Sequence, residues 1–283
     1  MTPALTAFAL VAFAANSVLC RLALGHGALD PATFTLIRLL SGAIALAGLR
    51  AARRAPTGKP ARRLPWISAA LLFLYAAPFS FAYISLGAGT GALILFASVQ
   101  ATMLAGAMRA GERFRWLEAA GLLIALGGLT YLVLPGLSAP SPAGSALMVI
   151  AGVSWGVYSL RGRRSADPVG DTAWNFALAI PFAVLVSAAT FRGAHVSWRG
   201  TLLAVASGAI ASGVGYVCWY AALRGLTRIR AATVQLTVPI LAAAAGVALL
   251  GETITVRLVL SALLILGGVG LALGGQHAVR QEG

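Results

Sequence analysis

The side chains of this sequence that could hold a small solute are aromatic, amide and guanidinium groups set inside long apolar runs. Tyr75, Phe79 and Tyr83 recur at i, i+4 and i+8, which stacks them on one helix face. Tyr216 and Tyr220, with Trp219 beside them, repeat the arrangement, and Trp155 and Tyr158 at i, i+3 form a further pair. Phenol and indole rings combine apolar area with a hydrogen-bonding handle, which suits a pathway for an amphiphilic solute; helix packing is the competing use of the same rings. Asn16, Gln100, Asn175 and Gln235 are neutral amides inside apolar runs. An unsatisfied amide there is costly, so each must face protein, water or solute, and glue between helices competes with substrate binding. Arg21 and Arg38 are the two charges well inside apolar runs. They could attract a substrate carboxylate near an outer mouth, or else snorkel to the interface or pair with Asp30.

Catalytic chemistry has fewer candidates. All seven acidic residues (Asp30, Glu112, Glu118, Asp167, Asp171, Glu252 and Glu282) fall in loops, at the ends of apolar runs or in the tail, and His26, His195 and His277 lie outside the runs. No paired carboxylates, metal cluster or nucleophile with its base can be read from them, so an intramembrane enzyme acting on a lipid-linked substrate is kept as the alternative class. There is no phosphate-binding loop of the Walker type, and no metal or cofactor is expected. Glu112 and Glu252 are expected to cap the starts of a fifth and a tenth helix.

The elements that position these groups follow from composition. Hydrophobic residues make up 59% of the 283 and charged residues 10%, too little polar surface to cover a soluble globule. Residues 64–108 contain no charge over 45 positions, about twice the length a helix needs to cross a bilayer. Solid apolar runs without alternation require helices, because lipid offers no partner for backbone N–H and C=O groups. Ten spans are read, at about 3–24, 31–49, 64–86, 88–108, 116–134, 143–160, 172–191, 200–222, 229–249 and 256–274. Ala12-Phe13-Ala14 resembles a signal cleavage site, but no basic residue precedes the run and Asn16 and Ser17 interrupt it, so it is expected to stay as the first span. Cys20 and Cys218 fall in different runs and are not expected to pair.

The net charge of +14 sits in short basic blocks between apolar runs, the pattern that fixes membrane topology rather than one that grips nucleic acid. With both ends cytoplasmic, sixteen of the 21 Lys and Arg fall in inner loops and the tail and three in outer loops. The expected location is a bacterial-type inner membrane, multi-pass, with cytoplasmic termini.

The segment from Tyr216 to Glu252 is echoed by the segment from Tyr83 to Glu112. Pairing Glu112 with Glu252, Gln100 with Pro239, and Asp30 with Asp171 gives offsets of 140, 139 and 141, each about half the chain. A tandem duplication into 1–138 and 139–283 is expected, and five spans per half inverts the second copy in the membrane. The fold class is therefore an all-α membrane protein of ten transmembrane helices in two inverted five-helix repeats.

Tyr220-Ala221-Ala222-Leu223, Ala231-Ala232, Pro239 and Gly251-Glu252, with ten spans in two halves, resemble the EamA-type branch of the drug/metabolite transporter superfamily. The resemblance is specific in the second half and weaker in the first, where Gln100 stands at a common proline and Asn16 near a usual Trp-Gly. It implies a central cavity and a secondary transporter of small metabolites, often an exporter, with amino-acid exporters, including those for aromatic amino acids, as the nearest kin; nucleosides and sugars are the other substrates kept open. The expected partners are a small-molecule substrate and the lipid bilayer, with no nucleic acid and a monomeric chain. Asn16, Arg38, Tyr75, Phe79, Tyr83, Gln100, Trp155, Tyr158, Tyr216, Trp219 and Gln235 are the candidate substrate-binding residues. With no protonatable group deep in a span, downhill movement of a neutral or zwitterionic solute without a coupled proton is expected.

Overall fold

Five helix starts in this chain share one local chemistry, a short polar side chain whose oxygen faces the first turn. Asp30 accepts from the N–H of Thr33 at 2.9 Å, Ser141 from Gly144 at 3.2 Å, Asp167 from Gly170 at 3.0 Å, Ser197 from Gly200 at 3.0 Å and Thr255 from Leu258 at 3.1 Å. Each side-chain oxygen takes one of the N–H groups that a first turn leaves without an intrahelical partner, and Pro31, Pro142 and Pro168 sit where a missing N–H costs nothing. The computed structural model describes residues 2–25, 27–52, 65–109, 116–134, 139–162, 165, 167–223, 225–226 and 234–274.

These residues form α1 (Thr2–Leu24), α2 (Pro31–Ala52), α3 (Pro65–Ala82), α4 (Ala88–Arg109), α5 (Trp116–Val133), α6 (Pro142–Gly162), α7 (Pro168–Ala189), α8 (Trp198–Leu223), α9 (Thr237–Leu250) and α10 (Val256–Gly274). Among the described residues the one β pairing is an isolated bridge between Leu29 and Val196. Five helices, α1, α2, α6, α7 and α8, carry apolar stretches of at least 18 residues, and the other five carry shorter ones. The chain is an all-α membrane protein.

The spans read from sequence fall on these helices, with the largest shifts in the third, seventh and ninth; α3 ends at Ala82 rather than near residue 86. α7 begins at Pro168, not near residue 172, because Asp167 caps it; the counterpart of Asp30 in the second half is thus Asp167, while Asp171 accepts from the Ser165 hydroxyl at 2.6 Å. In the ninth span Val234 and Gln235 are helical, the helix breaks at Leu236 and α9 resumes at Thr237. Pro239 provides no N–H for the carbonyl four residues earlier, which places the break one turn before it.

The packing of the helices obeys an exchange rule. α3 lies against α6 and α7, and correspondingly α8 lies against α1 and α2; α4 lies against α6, and α9 against α1. α2 with α7, α4 with α9, and α5 with α10 are packed as partners. Replacing each helix of one half by its counterpart five positions along reproduces every one of these neighbours, as two inverted five-helix repeats require. α5 and α10 pack chiefly on each other, so the centre is enclosed by the remaining eight helices.

Candidate functional site

α8 is not one regular helix. Between two α-helical segments, Ser207–Val214 is wound as a π-helix, with hydrogen bonds reaching five residues instead of four. That winding brings residues five apart toward one side, and both Ser207 and Ser212 are fully buried there. The segment is rich in small residues because it meets other backbones: a Cβ on Gly208 would lie 2.1 Å from the carbonyl oxygen of Arg38. One turn beyond Ser212, Tyr216 faces the same interior.

Opposite this surface, α2 places Arg38, which is 1% exposed. Its Nε donates to Ser212 Oγ at 3.1 Å, and one terminal nitrogen, Nη2, donates to Tyr75 Oη at 3.0 Å and to Tyr216 Oη at 3.5 Å. The guanidinium carbon lies 5.0 Å from the ring centroids of both Tyr75 and Phe79, within the range of cation–π attraction. The other terminal nitrogen, Nη1, has no hydrogen-bond partner. Among the described residues no carboxylate lies within ion-pair distance of Arg38; the one such pair joins Arg21 to Glu252. Arg38 therefore neither snorkels nor pairs with Asp30, and it sits in the enclosed centre rather than at a mouth.

Aromatic rings close around this cation. Trp155 contacts Tyr216 at 4.7 Å between centroids, Tyr75 at 4.9 Å, Tyr158 at 5.6 Å and Phe13 at 6.3 Å. Phe13 also meets Trp219 at 5.7 Å and Tyr216 at 6.0 Å. Tyr75, Phe79 and Tyr83 form the column that their spacing required, with centroids 5.4 Å and 4.8 Å apart. Phe13, Tyr75, Phe79, Leu95, Phe96, Trp155 and Tyr216 line a small cavity with room for about one water molecule. The centre is therefore closed in this conformation.

Amides complete the network. Asn16 donates through Nδ2 to Tyr75 Oη at 3.2 Å and accepts from Ser207 at 2.6 Å, tying α1 to α3 and α8. Asn175 donates to Tyr158 Oη at 3.1 Å. Gln100, one turn beyond Phe96, and Gln235, beside the break before α9, are both buried, and like Arg38 and Asn16 neither is among the residues that line the cavity. Of the candidates read from sequence, Asn16, Arg38, Tyr75, Phe79, Trp155, Tyr158, Tyr216 and Trp219 are brought into one cluster, and Tyr83 joins it through Phe79. Tyr220 lies elsewhere, with its hydroxyl against Gly162. The cluster also contains Phe13, Phe176, Ser207 and Ser212, which sequence reasoning passed over. Phe13 could have been found from its position three residues before Asn16 on the same helix face.

A second polar cluster closes one end of the bundle. Gly251, at φ 64°, ends α9 in the left-handed conformation that glycine adopts without strain, and the N–H of Glu252 returns to Gly246 O at 3.1 Å. This turn points the Glu252 carboxylate at α4, where it accepts from the N–H of Ala88 at 2.8 and 2.9 Å. A Cβ on Gly87 or Gly246 would come within 2.9 or 2.6 Å of that carboxylate. Arg21 completes the set: its Nε is 3.5 Å from Glu252 Oε1, and Nη1 donates to the carbonyls of Tyr83 at 2.9 Å and Ile84 at 3.0 Å. The expectation that Glu252 caps the tenth helix is thus corrected: Thr255 performs that task, and Glu252 caps α4 from the other half. Glu112, its sequence echo, lies outside the described residues.

Comparison with known proteins agrees with this architecture. Residues 142–274 match the EamA-like transporter family. An uncharacterised protein of Pseudomonas aeruginosa is 49% identical over 95% of this chain and 93% of its own length. A protein of Salmonella typhimurium described as a probable amino-acid metabolite efflux pump is 30% identical over 64% of this chain and 66% of its own. A solved crystal structure with 22% identity superposes with a TM-score of 0.67, covering 98% of this chain and 99% of the other, which bears on the fold alone. With a ten-helix bundle, exchange-related packing and this family match in hand, the chain belongs to the EamA-like transporters of the drug/metabolite transporter superfamily and is a multi-pass membrane transporter.

Proposed function

We propose that the chain exports small carboxylate-bearing metabolites, amino acids and their derivatives foremost, by alternating access across a bacterial inner membrane. The observation that carries this reading is Arg38: a buried guanidinium with one terminal nitrogen unpartnered and no carboxylate partner among the described residues. A charge in a lipid-embedded centre is expensive unless it meets an opposite charge. A solute carboxylate at Nη1 supplies that charge and accepts a charge-assisted hydrogen bond from the one terminal nitrogen left without a partner. The rings of Phe13, Tyr75, Phe79, Trp155 and Tyr216 then receive its apolar portion, and Asn16, Tyr158 and Trp219 hold those rings in place. Tyr83 backs the Phe79 ring, and Gln100 and Gln235 lie outside the cavity wall. The name of the Salmonella relative is consistent with this class of substrate.

Residues 1–138 and 139–283 act as the two repeats, and exchange of their conformations moves the opening from one face to the other. The excess of basic residues in alternate loops supports cytoplasmic termini. One chain holds both halves of the centre, which supports a monomer as the working unit. Counterflow in liposomes containing only the purified chain tests the proposal, with amino acids, N-acylated amino acids, nucleosides and sugars offered in turn. Saturable exchange confined to carboxylate-bearing solutes, lost in Arg38→Gln protein of normal yield, is the expected result. Exchange of nucleosides or sugars with Arg38 dispensable refutes it.

A further inference from the structure

We propose that the transported species carries one net negative charge, as an acidic or N-acylated amino acid does at neutral pH, and that the membrane potential, not a proton, drives its export. This rests on the carboxylate-exporter reading above and concerns the net charge of the solute and its driving force. The groups that bond Arg38 are all neutral: Ser212 and the phenols of Tyr75 and Tyr216, with the Tyr75 and Phe79 rings on its face. Asn16 and Ser207 behind them are neutral as well. The carboxylates whose side chains are described are engaged elsewhere, Asp30 and Asp167 as caps of α2 and α7, Asp171 with Ser165, and Glu252 with Ala88 and Arg21.

Among the described residues, the centre therefore holds one positive charge without an anionic partner. A monoanion brings it to neutrality. A zwitterion satisfies Arg38 but adds an ammonium group for which the centre has no anionic partner among the described residues, so one unit of charge stays uncompensated in a low-dielectric space.

The driving force follows from the cycle. Arg38 is part of the protein and returns to its starting position each turnover, so the charge moved across the membrane per cycle is that of the solute alone. For a monoanion leaving a cytoplasm at negative potential, 100 mV sustains about a 50-fold concentration ratio, converted from about 2.3 kcal/mol per charge. No protonatable side chain has to change state in step with access. The sequence expectation of a proton-free mechanism is thereby kept, and its neutral or zwitterionic solute is replaced by an anion.

The test uses the full chain in liposomes under potassium diffusion potentials set with valinomycin, with N-acetylphenylalanine as the monoanion and phenylalanine as the zwitterion, against protein-free liposomes. Internal negative potential should speed monoanion efflux several-fold, reversed polarity should slow it, a pH gradient alone should do neither, and phenylalanine flux should not respond. Arg38→Lys, which keeps the charge, should retain the voltage response. In detergent, tryptophan fluorescence titration should give at least about tenfold tighter binding of the monoanion, a preference that Arg38→Gln abolishes. If both probes bind equally and both move in an Arg38-dependent, voltage-insensitive way, the exporter reading stands and the net-charge inference falls. If neither binds nor moves, both fall.

Discussion

Glu252 and Arg21 meet at 3.5 Å, and the carboxylate that Arg21 engages is the same one that caps α4 at Ala88. One side chain thus ties α1, the α3–α4 turn and the α9–α10 turn together at the end of the bundle where the first helix stops. Nearby, Asp30 and Ala28 bond His195 and Ser197, stitching the α1–α2 turn to the α7–α8 turn. Opening at this end is expected to break the contact of Glu252 with α4 or with Arg21.

Glu252→Ala is therefore expected to loosen that end, at a cost of about 1 kcal/mol for the lost cap. Cys20, fully buried one residue before Arg21, reports the opening. In a Cys218→Ala background, a membrane-impermeant maleimide added outside should label Cys20 slowly in the parent and several-fold faster in Glu252→Ala. Equal labelling rates show that the contact does not hold the end closed.

Tyr75 accepts hydrogen bonds from both Arg38 and Asn16 through a single oxygen. Tyr75→Phe deletes that oxygen while leaving the ring against Trp155 and Phe79. The expected result is folded yield near the parent and a KM for transport raised about tenfold, as the loss of hydrogen bonds to a charged donor implies. Trp155→Ala, which removes a ring touching four others, is expected instead to lower the yield of folded protein. A Tyr75→Phe protein with unchanged KM removes the Arg38–Tyr75–Asn16 network from substrate handling.

Orientation is checked by fusion reporters. A reporter after Arg54 is expected to read cytoplasmic, and one after Ser138 periplasmic, because the proposed orientation puts the basic blocks on the inner side. The reverse pattern contradicts the orientation.

The sequence disclosed the helices because apolar runs, Pro-led starts and short polar caps are local signals, and it disclosed the aromatic column because i, i+4, i+8 spacing is a property of one helix. It did not disclose Ser207 and Ser212. They lie in a stretch of small residues that reads as close packing, and only the π-winding turns them inward together. The target of Glu252 was equally hidden: a carboxylate beside a helix start looks like its cap, whereas the left-handed turn at Gly251 aims it across to the other repeat. The unpaired state of Arg38 depends on where every described acid lies in space, which spacing along one chain does not contain.

The central claim, that Arg38 receives a solute carboxylate, is tested most directly by calorimetric binding of N-acetylphenylalanine and of its uncharged amide to the purified chain. The acid is expected to bind at least about tenfold more tightly, since a charge-assisted hydrogen bond contributes roughly 1.5–3 kcal/mol, and Arg38→Gln should erase the difference. Equal affinity for acid and amide in the parent protein contradicts the claim.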